Sequence, residues 1–138
     1  MRLVLDTDVL VAAVRSEHGA SRKLLVGAVQ GRVEVLATTA LFLEYEAVLK
    51  RPQHLHAARG SMADVEAVLA GLANVVVPIE VMYRWRPQPV DPGDELVLEA
   101  AINGRADCIV TFNLRHFAPA GRFGIAVCRP GEVVNDWR

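Results

Sequence analysis

Cysteine is scarce in this chain: Cys108 and Cys128 are the only two in 138 residues. Two cannot build a disulfide scaffold. Each lies in an apolar, strand-like stretch, which predicts buried free thiols and a cytoplasmic protein. Net charge is small as well, −1 at neutral pH. That excludes a protein that coats nucleic acid through bulk charge and leaves room for a local basic patch. No apolar run is long enough to span a membrane, and the first is broken by Asp6 and Asp8. Neither a membrane span nor a signal peptide is therefore expected. Zinc-ligand spacing is missing, because the cysteines form no close pair and His54 and His56 would not share a helix face. Gly121 and Gly124 lack the strand-then-glycine context of a phosphate loop, and Ser16, Ser21 and Ser61 lack that of a nucleophile elbow. Internal repeats, low-complexity tracts and linkers are absent too. What remains is 52% hydrophobic and 22% charged, the balance of one globular domain over residues 1–138.

Within it, short apolar runs alternate with helical periodicity. Strands are expected at Leu3–Leu5, Val33–Ala37, Val75–Val77, Asp107–Thr111 and Gly124–Val127. Helices are expected at Asp8–Arg15, at Arg22–Gln30 behind Ser21, from Thr38 or Thr39 to Lys50, from Ser61 to about Ala73, and at Glu95–Asn103. Asn113–Phe117 reads as a short helical turn, and Gly131–Trp137 as a terminal helical piece. His54–Gly60 gives no clear signal. Tyr83–Gly93, with its prolines and arginines, reads as an irregular loop that invites function. The alternation predicts an α/β fold, a three-layer α/β/α sandwich around a central parallel sheet of about five strands.

Sites in such a sheet form outside the carboxyl ends of the strands. Asp6 and Asp8 follow the first strand, Glu44 sits one turn into the helix after the second, and Asp94 opens the helix before the fourth. Thr111 and Asn113 follow the fourth strand. Taken singly, each has a bland role open to it: Asp6, Asp8 and Asp94 as helix caps, Glu44 as solvated surface, Asn113 as a turn residue. Taken together they form a cluster of repelling carboxylates, which calls for a cation or for raised pKa values. Oxygen ligands without His or Cys favour Mg2+ or Mn2+, which can activate water against a phosphodiester.

The pattern resembles the PIN-domain family of metal-dependent ribonucleases, in particular the branch that forms the toxins of toxin–antitoxin systems. The resemblance rests on Leu3-Val4-Leu5-Asp6-Thr7-Asp8-Val9-Leu10-Val11, similar to an opening of the form hhhDTNhhh. It continues through Leu41–Leu49, Asp91–Ala101 and Ala106–Thr111, in the family's order and spacing. It implies Asp6, Glu44 and Asp94 as the catalytic acids around Mg2+ or Mn2+, with Asp8 and Asn113 as further ligands. It also implies an RNA substrate, a cognate antitoxin protein and a homodimer. Two positions depart from the pattern: Asp8 stands where Asn is usual, and Asn113 stands where many relatives carry Asp.

RNA requires positive charge near the acids. Thr111, Arg115 and His116 after the fourth strand, and Arg84 and Arg86 in the proline-rich loop, are the expected substrate contacts. Arg15, Arg22 and Lys23 are further candidates. Tyr83 and Trp85 interleave with Arg84 and Arg86, in a spacing that suits stacking on unpaired bases or packing against the body. Two rival readings use the same residues. Asp6-Thr7-Asp8-Val9 also resembles the opening of haloacid-dehalogenase-like phosphatases, with Asp6 as nucleophile, Asp8 as general acid and Thr38 in the second motif. Against it, Asp91 and Asp94 follow Pro87-Gln88-Pro89 rather than a hydrophobic strand. A non-catalytic PIN-like RNA-binding domain is the other, motivated by Asn113.

Overall fold

The centre of the molecule is β1 (Arg2–Leu5), whose Leu3, Val4 and Leu5 are fully buried. A strand buried on both faces must be apolar at every position, which is what this run supplies. The computed structural model describes residues 1–52, 62–82, 91–135 and 137. In chain order β1 leads to α1 (Thr7–Arg15), α2 (Ala20–Val29), β2 (Glu34–Ala37) and α3 (Thr39–Leu49). Then come α4 (Met62–Val75), β3 (Val77–Pro78), α5 (Pro92–Gly104) and β4 (Cys108–Val110). A 3-10 segment (Leu114–Phe123), β5 (Ala126–Cys128) and α6 (Pro130–Val134) complete the chain.

The strands form one five-stranded sheet in the order β3-β2-β1-β4-β5, and every pairing is parallel. Leu3 is in register with Val35 on one side and with Cys108 on the other. Helices cover the sheet as an α/β/α sandwich. Among them, α5 lies against β1, β2 and β4 and buries Val97, Leu98, Ala101 and Ile102. The order matters for function. The chain builds outward from β1 to β2 and β3, then restarts on the opposite side with β4 and β5. The crevice between the ends of β1 and β4 is thus the topological switch point, where open α/β sheets bind their ligands.

Several boundaries differ from the sequence expectation, each for a local reason. Asn74 does not stop α4: the helix runs through Val75, and the Val76 N–H still donates to the Leu72 carbonyl at 2.8 Å, so β3 begins only at Val77. The turn after β4 extends to Phe123 and ends at Gly124, whose φ of 71° is the left-handed conformation glycine adopts freely, so β5 starts at Ala126. The last helix stops at Val134. Trp137 lies beyond it and packs onto α2 at Gly27, with the Arg32 guanidinium over its ring at 5.4 Å.

The cysteine expectation is corrected: Cys108 and Cys128 form a disulfide. The register pairs Val110 with Cys128, which sets the cysteines diagonally on neighbouring strands, with Cα atoms 6.8 Å apart. That proximity depends on strand order and register, which spacing alone does not reveal. The cysteines therefore no longer argue for a reducing compartment. Among the described residues, no helix is long and apolar enough to cross a membrane. His54, His56, Tyr83, Arg84, Trp85 and Arg86 lie outside the described residues.

Candidate active site

Asp6 leaves β1 with extended backbone, φ −70° and ψ 151°, and caps α1. Its N–H donates to the Val110 carbonyl at 2.8 Å, which ties it to the end of β4. Both carboxylate oxygens are held. Oδ1 accepts from the Thr7 N–H at 2.8 Å and Oδ2 from the Thr111 hydroxyl at 2.7 Å. Thr111 is fully buried, and its Oγ1 in turn accepts from the Asn113 N–H at 2.9 Å. The cap role and the site role of Asp6 are thus met by the same side chain, which is only 8% exposed.

Asp8 lies one residue inside α1 and faces the same crevice. Its Oδ2 accepts from the Phe112 N–H and from the Asn113 side-chain amide, both at 3.1 Å. Its Oδ1 is buried with no partner. A buried carboxylate oxygen without a donor is costly and needs an explanation. Asp94, in the first turn of α5, joins from the other side, and His116 Nδ1 approaches its Oδ2 at 3.2 Å.

The electrostatics show that these acids share one place. Burial pushes the Asp6 carboxyl above its ordinary value, against the Thr111 hydroxyl, the Thr7 N–H and Asp8, which pull it down. Asp8 is pushed up to about 6, first by burial and then by the charge on Asp6. Asp94 is raised by burial and then by Asp6, while His116 lowers it. The charge on Asp6 raises both Asp8 and Asp94, the mark of a site that lacks positive charge.

Of the residues singled out from sequence, Asp6, Asp8, Asp94, Thr111, Asn113 and His116 converge on the crevice. Glu44 reaches its rim. Its Oε1 stands beside Gly93, at the start of α5, where an added Cβ would meet it at 3.8 Å. Arg115 lines a groove next to the acids, with Asn113 and His116. Arg22 is turned to structure, because its Nε donates to the Ala13 carbonyl at 2.8 Å and fastens α2 to α1. Thr38, required by the phosphatase reading, is buried and caps α3 by accepting from the Leu41 N–H at 3.1 Å. Among the described residues, no group of three or more His, Cys, Asp or Glu is drawn together tightly enough to hold a metal ion as it stands. The donor chemistry nevertheless fits a hard cation: the acids supply oxygen only, they repel one another, and Asp8 Oδ1 has no partner.

Three participants are not evident in the linear reading. Tyr45 lies unremarked within the Leu41–Leu49 block of α3. Its hydroxyl donates to the Leu5 carbonyl at 2.5 Å, one residue before Asp6. The signal was available, since a buried phenol needs a partner. Arg129 lines the same groove as Arg115, and it follows β5 as Asn113 follows β4. Phe112, between Thr111 and Asn113, borders that groove and stands 44% exposed.

No curated protein matches the chain. Residues 2–115, most of its length, match the PIN domain, and PIN domains are generally nucleases, hydrolases of nucleic acid. The matched span takes in β1 to β4, Asp6, Glu44, Asp94 and Asn113, and the chain belongs to the PIN-domain family.

Proposed function

We propose that this PIN domain is a Mg2+- or Mn2+-dependent endoribonuclease that hydrolyses RNA phosphodiester bonds and acts as the toxin of a toxin–antitoxin pair. The observation that carries the nuclease chemistry is the triad Asp6, Asp8 and Asp94 at the switch point, with raised proton affinities and one orphaned oxygen. Asp6, Asp8 and Asp94 would hold the ion, with Glu44 and Asn113 at the edge of its shell. When bound, it supplies an activated water and offsets the charge that grows on the phosphorus oxygens. The protein's own groups do the positioning. The Thr111 hydroxyl and the Thr7 N–H fix both oxygens of Asp6. His116 Nδ1 faces Asp94 Oδ2 at 3.2 Å. Arg115 and Arg129 offer charge to the RNA backbone.

The two departures from the family pattern support activity when taken as a pair. The Asn113 amide donates to Asp8 Oδ2 at 3.1 Å, so the carboxylate and the amide have changed places across one hydrogen bond. The number of carboxylates in the crevice is unchanged. This favours a working site over the non-catalytic reading. The toxin role, the antitoxin partner and the homodimer rest on the resemblance of the sequence to that branch. The test is incubation of the purified protein with a transcript library. Internal cleavage in Mg2+ or Mn2+ that EDTA stops supports the proposal. Retention of RNA without cleavage in either metal overturns it. Growth arrest on expression, relieved by the product of a neighbouring gene, would support the toxin role.

A further inference from the structure

A groove of about 520 Å3 runs along α1 away from the acids. That is within the ~300–1,000 Å3 range of clefts that hold small ligands. It begins at Thr7 and Asp8, follows Val11 and Ala12, and ends at Arg15, with Phe112 as a wall. It is therefore continuous with the candidate active site through Asp8. Its lining is mainly apolar between polar ends, a surface on which a flat aromatic ring can lie with charge beyond it.

Phe112 gives the groove its direction. An exposed phenylalanine serves as a platform only where the loop that carries it is held in place. Here its N–H is held by Asp8, and the neighbouring Asn113 N–H is held by the Thr111 hydroxyl. The loop carrying the ring is thus fixed by the same hydrogen bonds that hold the acids. On its other side Phe112 borders the groove of Arg115, His116 and Arg129. The ring stands between an apolar slot and a cationic one.

We propose that Phe112 is a base-stacking residue, and that the slot along α1 takes the unpaired RNA base next to the scissile phosphate. The adjoining phosphates pass over Arg115 and Arg129. This rests on the nuclease reading of the acid site. A base in the slot must leave its helix, so the subsite selects single-stranded RNA. Stacking accepts any base, so it gives strand selection and little sequence selection.

The test is a cycle between Phe112→Ala and an abasic nucleotide placed next to the preferred cut, on each side in turn. Phe112→Ala lowers kcat/KM on intact single-stranded RNA by roughly 5- to 100-fold, chiefly through KM, while Phe112→Trp retains it. At one of the two sides, the abasic substitution lowers wild-type cleavage by a similar factor and does not further impair Phe112→Ala. Fluorescence anisotropy of the same oligonucleotides in EDTA shows the same pattern in binding. Cleavage of intact RNA by Phe112→Ala at the wild-type rate, or an abasic penalty equal in both proteins on both sides, overturns the subsite. If the wild type binds RNA in a Phe112-dependent way yet never cuts it, the nuclease reading fails, and with it the placement beside a scissile phosphate, while base stacking on Phe112 is upheld. If it binds no RNA, the subsite falls. Matching melting curves show that Phe112→Ala is folded.

Discussion

Asp8 is the residue at which the cost of the site can be measured. Burial and the charge on Asp6 push its carboxyl up to about 6 in the folded protein, from 3.8 for a free aspartate. Below the unfolded value it is neutral in both states and costs nothing. Between the two values only the folded state keeps the proton, so its contribution to stability falls as pH rises and is lost above the folded value. Asp8→Asn should therefore stabilise the metal-free protein at pH 7 and not at pH 4. After allowance for solvent screening of a partly buried group, the gain is about 1 kcal/mol, or a few degrees in Tm. Melting curves across this pH range check it; a gain that is independent of pH would contradict it. The same residue carries a functional prediction. In cleavage assays, Asp8→Asn and Asn113→Asp should each lose activity, and the double exchange should recover most of it, because the carboxylate and amide are restored as a pair across the same hydrogen bond.

At the scale of elements, the site depends on two joints. The first joins α3 to β1 through the Tyr45 hydroxyl and the Leu5 carbonyl, deep in the core. Tyr45→Phe leaves that buried carbonyl without a donor and should cost ~1–3 kcal/mol, read in urea denaturation. Because Leu5 precedes Asp6, cleavage should also slow at temperatures where the variant remains fully folded. The second joint fastens the C-terminal tail to α2, where Trp137 fills the space over Gly27. An alanine at Gly27 favours the helix by ~1 kcal/mol yet collides with the indole, and such overpacking costs ~1–3 kcal/mol. Gly27→Ala should destabilise the protein with Trp137 present and stabilise it in a Trp137→Ala background, so that the sign of the effect reverses. These joints explain what was legible in the sequence. The helices and strands were, because Leu3-Val4-Leu5 and the spaced apolar residues of α3 and α5 encode their own periodicity. Strand order was not, so the Cys108–Cys128 pairing and the reach of Tyr45 stayed hidden.

For the whole molecule, sheet topology brings together what the chain keeps far apart. Asp6 and Thr111 are 105 residues apart in sequence and share a hydrogen bond. The rule that sites lie beyond the carboxyl ends of parallel strands was enough to bring Asp6, Asp94, Thr111 and Asn113 to one crevice. It could not show that Asp8 and Asn113 are direct partners, or that Phe112 stands between two grooves, since these depend on side-chain direction. The central claim is that the acids beyond β1 and at the start of α5 cut RNA together. The measurement that tests it most directly is single-turnover cleavage of one RNA in Mn2+ by the wild type, Asp6→Asn and Asp94→Asn, with the melting curve of each. The account predicts folded variants slowed more than ~100-fold, beyond the ~10–100-fold expected of a group that only orients a metal ligand. A folded Asp6→Asn protein that cuts at the wild-type rate would contradict it.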